Sequence, residues 1–323
     1  MVEFGDEQYS FTVFTSAYNR EHTIRRVYES LLRQTCNDFE WLIADAGSDD
    51  TGIVIRRCME EKPFFPIRYR RRDNNGKHGA VNYGVLEARG ELFVILDDDD
   101  ELLPEALERL KHHWQAIPAG EKKGFAGVAA LSVDEKGLAV GPPFPQDVFD
   151  STFSELTYRL KLEGERLFCL TTQAMRRYPF PEDIRTPTIP EGTIWHRISG
   201  PYRIRFVNEV LRRYWRDQPS VIRGGKARVY AAGNRVRYLV ALNEEISWFR
   251  HAAVTFLIMA AQYTRFSLHL GIGFRDQWKD LKNRTARILW MISLPAGLAK
   301  YRMDDAERAT KSPTPDTRSR HGT

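Results

Sequence analysis

Apolar runs and helix-spaced stretches alternate along the first third of the chain. Residues Phe11 to Ser16 (FTVFTS) are β-branched and aromatic, as a pleated strand requires, and beyond them Ile24, Val27, Leu31 and Leu32 recur at helical spacing. FEWLIAD predicts a second strand, closed by a Gly/Ser/Asp turn, with IVIRRCMEE as the helix after it. Ile67 to Arg71 predicts a short strand. After the turn signal DNNGKHG, the stretch AVNYGVLEARG predicts a helix stopped at Gly90. LFVIL is apolar without interruption, as expected of a strand covered on both faces. Four such units in about 100 residues predict an α/β domain with a mainly parallel sheet.

Glu105 to Trp114 predicts a helix, Gly124 to Val133 a strand, and GPPFP from Gly141 a loop. Residues 190 to 216 alternate polar and apolar and carry many arginines. From Arg235 to Leu270 the pattern is helical, with Phe249, Ala253, Phe256, Leu257, Ala260 and Tyr263 on one side, and a second apolar block starts at Ile288. The last twenty residues hold almost no apolar side chain, so disorder is expected there.

With 42% hydrophobic and 28% charged residues over 323 positions, the chain can bury one large core or two modest ones. No internal repeat is visible. Cys36, Cys58 and Cys169 lie far apart and offer neither a disulfide framework nor a metal knuckle, which favours a reducing compartment. The acidic N-terminus lacks the apolar run of a secretory signal, and the nearly uncharged stretch His251 to Thr264 is shorter than the roughly 20 residues a membrane span needs. A cytoplasmic protein is expected. The net charge of +5 is unevenly spread: residues 201–300 carry 18 Lys and Arg against 6 Asp and Glu. Such a basic half suits phosphate groups, anionic lipid or nucleic acid, and charge alone does not choose.

In parallel sheets ligands bind beyond the carboxyl ends of the strands. Here those ends lead into AYNR, DAGSDD and DDDDE. Four consecutive aspartates, Asp97 to Asp100, repel one another and call for compensation. A hard divalent cation, Mg2+ or Mn2+, would supply it; the alternative is a solvated loop capping the next helix. Asp45 either accepts N–H groups of a nucleotide base or closes an Asx turn. Tyr18 either stacks on that base or packs locally. The turn before Ala80 presents Lys77 and His78 to an anion, or leaves them in solvent. Glu191, in TIPEGTIWHRI, is either a general base for an alcohol or a helix-start carboxylate.

Together these stretches resemble the family 2 glycosyltransferases, which have the GT-A fold. FTVFTSAYNRE is similar to the family's first strand with its YN turn, LIADAGSDDT to its base-binding strand, and NNGKHGAVNYGVLEARGELFVILDDDDELL to its helix, strand and DxD segment. The resemblance is dense from about Tyr9 to Leu110 and looser through RYPFPEDIRTPTIPEGTIWHRISGPYRIRFVNEVLRRYWRD. It implies a nucleotide-sugar donor, UDP-linked by family frequency, with Asp45 on the base, Ser16 and Tyr18 nearby and Asp97 towards the ribose; Lys77, from its turn, and Asp98 complete the candidate donor-binding residues. It also implies a divalent metal on Asp97 and Asp99, with Glu191 as the base of an inverting transfer to a glycan or lipid-linked hydroxyl in cell-surface polysaccharide synthesis. Ala46 stands where many members have a second aspartate, and Gly192 where an aspartate often follows the base. The processive QxxRW pattern is absent, so a single transfer per acceptor is expected.

The division implied is a catalytic domain over 1–225, with a nucleotide part about 9–110 and an acceptor part about 111–225, then a helical basic region over 226–302 and a disordered tail over 303–323. Arg203, Arg205, Arg212, Arg213 and Arg216 are candidates to face a lipid diphosphate or the anionic leaflet. The Phe249 to Tyr263 face, beside Arg235, Arg237 and Arg250, either lies on that leaflet as an interfacial helix or packs inward. The competing functions are a sugar-phosphate nucleotidyltransferase, disfavoured because SAYNRE lacks a phosphate-loop glycine, and a non-enzymatic nucleic-acid binder. For the binder the sequence shows no interleaving of basic and aromatic residues, and no nucleic-acid partner is expected.

Overall fold

The computed structural model describes residues 8–215 and 227–311. The chain divides into two compact units, Met1–Gly225 and Lys226–Thr323.

In the first unit, β1 (Tyr9–Ala17), α1 (Ile24–Leu32), β2 (Phe39–Asp45), α2 (Thr51–Glu60), β3 (Ile67–Arg71), α3 (Gly76–Glu87) and β4 (Gly90–Ile95) follow one another as the periodicity predicts. Their strands pair in parallel in the order β3-β2-β1-β4. Phe11, Val13, Phe39, Trp41, Leu92 and Val94 are buried, and α1 covers them with Ile24, Val27, Tyr28 and Leu31. Leu32, counted with that face, is exposed instead.

Gly90 does not stop a helix. It opens β4 where β1 comes so near that a Cβ would lie 2.2 Å from the Thr12 nitrogen, so only glycine fits. Helix α3 starts at Gly76, four residues earlier than the sequence suggests, because Gly76 takes a φ of +78° and the Lys77 N–H donates to the Pro187 carbonyl at 2.9 Å.

The unit continues through β5 (Glu101–Leu102), α4 (Ala106–Gln115), β6 (Phe125–Val133), β7 (Val148–Ser151), α5 (Phe153–Glu155), β8 (Arg166–Thr171), α6 (Thr172–Arg177), α7 (Gly192–Ile198) and β9 (Arg203–Arg213). β8 runs antiparallel between β4 and β6, and β9 is parallel to β6. β1, β2, β3, β4, β6 and β9 therefore share one direction, making a mixed, mostly parallel sheet. The register aligns Ala17, Asp45 and Arg71 at its carboxyl rim, with Phe14 opposite Ile95.

The second unit is helical: α8 (Ala231–Glu244), a 3-10 turn (Ile246–His251), α9 (Ala253–His269), α10 (Phe274–Asp280) and α11 (Arg284–Lys311). α9 packs on α8 and α11. Gly297 lets α11 approach closely, since a Cβ there would lie 2.7 Å from the Ala261 oxygen. One helix turn on, Arg265 forms a bidentate pair with Asp304, both contacts at 2.6 Å, and His269 joins it at 2.7 Å.

Of the two readings of the Phe249 to Tyr263 face, the inward one describes Phe256, Ala260 and Tyr263, which are buried, while Ala253 is exposed; Arg235 pairs with Asp280, and Arg237 is buried against Glu245. One expectation is corrected. The helix α11 runs through the polar stretch from residue 303 to Lys311, where disorder was expected. Residues 312–323 lie outside the described residues.

Candidate active site

At the end of β2, Asp45 is fully enclosed. One carboxylate oxygen accepts from the Gly47 N–H at 2.8 Å, the turn contact expected of an Asx residue; the other accepts from the Tyr69 hydroxyl at 2.8 Å and from Arg71 at 3.3 Å. Asn19, held at a φ of +57°, accepts the Ser48 N–H at 2.7 Å, so the turns after β1 and β2 lock together. Asp45 is thus held on all sides and shapes its loop from within. The open cleft beside it, about 640 Å³, is lined by Ala46, Gly47, Ser48, Arg71, Arg72 and Asp73 among others. Tyr18, directly after β1, is 54% exposed, and Ser16 is partly buried on β1 opposite Ala44.

Each aspartate after β4 meets a cation from a different element. Asp97 accepts from Lys77 Nζ at 2.6 Å, and Asp98 from Arg20 Nε at 2.9 Å. The backbone carbonyl of Asp99 accepts from Arg26, whose guanidinium lies 4.1 Å from the Trp215 ring centre. Asp100, wholly buried, accepts the Trp215 N–H at 3.1 Å and lies 3.4 Å from Arg212.

Burial separates their proton affinities. It pushes Asp98 up to about 7, against the attraction of Arg20, and Asp100 up to about 8, against that of Arg212. Burial also opposes charge on Asp97, but the Lys77 ammonium overrides it and holds this carboxyl below the usual range.

Lys77 joins the two ends of the predicted machinery. Its ammonium also contacts Glu191 at 2.8 Å, so carboxylates 94 residues apart in sequence share one cation, all three side chains about one-third exposed. Burial disfavours the ammonium's charge, yet the two carboxylates raise its pKa well above the ordinary value. Glu191 precedes α7 as its N-cap. The segment before it is tied to α3 by Asn82, which donates to the Phe180 carbonyl and to Glu182 and accepts the Phe180 N–H. His78, named with Lys77 as an anion donor, is buried instead, and burial lowers its pKa.

The structure brings together Lys77, Asp97 and Glu191, with Asp98 and Asp99 in the adjoining turn, and places Ser16, Tyr18 and Asp45 along the same strand-end rim. The β9 arginines named as candidates to face the acceptor are each ion-paired within the fold. Arg203 pairs with Glu121, Arg205 with Asp150, Arg212 with Asp100 and Glu165, and Arg213 with Glu101. Arg216 lies outside the described residues. Sequence reasoning missed Arg20, Arg26, Tyr69 and Arg71, of which only Arg20 carried a signal, its place directly after the first strand end.

Asp97 and Asp99 suit a hard divalent ion. Their donors are oxygen only, and Mg2+ commonly takes one or two carboxylates and leaves its other positions to water and substrate phosphates. The ammonium seated on Asp97 marks the spot as one that accepts positive charge. Among the described residues, no three acidic, histidine or cysteine side chains converge as a metal-holding group, so the fit is to a two-carboxylate cradle.

The family model described as glycosyl transferase family 2 matches residues 12–181. A GalNAc(5)-diNAcBac-PP-undecaprenol beta-1,3-glucosyltransferase of Campylobacter jejuni is 31% identical over 296 residues, covering 88% of this chain and 93% of the relative. An uncharacterized glycosyltransferase of Rickettsia felis is 36% identical over 215 residues, 65% of this chain and 35% of that longer protein. Among solved structures, S. aureus TarS 1-349 superposes with a TM-score of 0.56 at 14% identity, covering 94% of this chain and 92% of that one. The mannosyltransferase PcManGT from Pyrobaculum calidifontis, solved with GDP-Man and Mn2+, gives a TM-score of 0.50 at 18% identity over 94% and 85%. At these identities the structural likeness establishes the fold, a GT-A-like α/β architecture followed by a helical region.

Proposed function

The chain belongs to glycosyl transferase family 2 and is a glycosyltransferase, and on that premise we propose that it transfers one sugar from a nucleoside diphosphate, a UDP-sugar by preference, to a hydroxyl of a lipid-linked glycan, with inversion. The Campylobacter relative, named for a diphosphate-undecaprenol acceptor, supports the acceptor class, and its match over nearly its whole length supports carrying that class across. The observation that carries the proposal is Lys77, which gathers Asp97 and Glu191 at one point of the strand-end rim. The family assignment sets aside nucleotidyl transfer and a non-enzymatic role.

In this mechanism the base lies in the cleft beside Asp45, with Tyr18 against its face and Asp45 holding the loop beneath. Asp98, fixed by Arg20, supports the donor side of the turn. Asp97 and Asp99 would hold Mg2+ or Mn2+, which when bound supplies charge neutralisation at the departing diphosphate. Lys77 offers its ammonium to the same oxygens, and Glu191 is thereby released from its ion pair. Glu191 then takes the proton of the acceptor hydroxyl as that oxygen attacks the anomeric carbon. The bond to the diphosphate breaks with its electron pair on the leaving oxygen, and oxocarbenium character develops at the sugar. A single displacement inverts the configuration.

A panel of sugar nucleotides with Mn2+ or Mg2+, read by thermal shift, tests the donor class: a donor at 100 times its dissociation constant stabilises by about 2.7 kcal/mol. Asp99→Ala is expected to abolish that metal-dependent shift and turnover together. A shift that survives in Asp99→Ala excludes the metal assignment.

A further inference from the structure

The outward face of α11 is apolar where a surface helix usually carries charge. From Ile288 to Ala299 its exposed residues are Ile288, Met291, Ile292, Pro295, Ala296 and Ala299, none of them charged. Ile292 is 63% exposed and Ile288 51%. At 100° per residue these positions form one stripe about three turns long, opposite the buried side of Ala286, Trp290, Ser293 and Gly297. Basic side chains bracket the stripe: Lys282 and Arg284 precede it, Lys300 and Arg302 follow it, all are exposed, and none forms an ion pair among the described residues. On the neighbouring α9, Val254 and Ile258 are exposed one turn apart. Residues 226–323 carry 17 Lys and Arg against 8 Asp and Glu.

No helix is long and apolar enough to cross a membrane among the described residues. An apolar stripe between basic ends is instead the pattern of a helix lying in the plane of a lipid surface, apolar side chains in the acyl boundary and cations among headgroup phosphates. We propose that this face of α11 seats the protein on an anionic lipid bilayer. Charge selects that occupant over a second copy of the chain, because the basic ends repel one another and attract an anionic surface. The inference deepens the lipid-linked-acceptor reading, for which such a seat brings enzyme and acceptor to one surface, but the binding itself requires neither donor nor acceptor.

The test is co-sedimentation of the full chain, without substrates, with vesicles of phosphatidylglycerol and phosphatidylcholine or of phosphatidylcholine alone. Binding to the anionic vesicles is expected to be at least tenfold tighter and to weaken with salt. The double variant Met291→Glu, Ile292→Glu is expected to lose at least tenfold of that binding with its thermal unfolding unchanged. Lys300→Glu with Arg302→Glu is expected to remove the preference for anionic lipid. Equal binding to both vesicles, or full binding by the Met291→Glu, Ile292→Glu variant, overturns the proposal. So does a concentration-dependent dimer that this variant abolishes in a chain that ignores vesicles, since a second copy would then cover the face. Loss of vesicle binding with sugar transfer intact defeats this inference alone; vesicle binding by a chain that transfers no sugar defeats only the functional reading.

Discussion

The acidic run after β4 and the arginine run of β9 look equivalent in sequence, each a string of like charges, yet the fold uses them in opposite ways. The arginines are all paired: Arg205 and Arg212 are buried against Asp150 and Asp100, while Arg203 and Arg213 form partly exposed pairs with Glu121 and Glu101. The aspartates are graded. Asp100 is sealed against Arg212, Asp98 is nearly sealed against Arg20, and Asp97 stays one-third open with the Lys77 ammonium on it. The runs meet at Asp100 and Arg212. A charge run becomes a site where the fold leaves it partly uncompensated, and becomes framework where it is fully paired.

The largest stability effect is expected at that meeting point. Removing one member of a buried pair costs about 3–5 kcal/mol, whereas an exposed pair contributes below about 1 kcal/mol. Arg212→Met should therefore destabilise the protein severalfold more than Arg203→Met in denaturant titrations. Burial pushes Asp100 up to about 8 against the attraction of Arg212, so the carboxyl is largely neutral in either protein well below that pH, and the penalty should grow as pH rises through about 8. Equal costs for the two variants would erase the distinction between framework and site.

Lys77→Met probes the open end of the gradient. It should cost little stability, since the pair it breaks is one-third exposed, but should weaken donor binding and turnover by about tenfold or more. Unchanged kinetics would show that Lys77 is framework as well.

The smallest effect is a pH dependence. Hydrogen bonding by Arg109, joined by His113, overcomes burial and lowers the Glu209 carboxyl to about 2. A folded pKa below the unfolded value gives stability that is present above about pH 4.5 and lost as pH falls through about 2. Glu209 is partly exposed, so Glu209→Gln should remove only about 1 kcal/mol of this acid sensitivity, seen as a flatter stability profile between pH 5 and 2.

Much of the parallel half-sheet was legible because its signals are local: FTVFTS, FEWLIAD and LFVIL each meet the demands of a buried strand, and Ile67 to Arg71 matches β3 at both ends. The strand-end rule then places Asp45 and the quartet on one rim. What the sequence hid depends on contacts across long separations. Nothing near Lys77 announces Glu191, and nothing near Asp45 announces Tyr69 and Arg71, which arrive only through the β2–β3 register. The helical unit was left undecided for a related reason. Periodicity shows that α9 has an apolar face but not whether water, lipid or another helix meets it, and here α8 and α11 do.

The most direct test of the centre joined by Lys77 is Glu191→Gln, measured for donor binding and turnover on the same preparation. Removal of the base alone predicts a donor dissociation constant within about twofold of the wild type and turnover lower by about 10² or more. Full turnover in that variant would place the base elsewhere, with Glu182 and Asp183 the nearest alternatives, and would contradict the account.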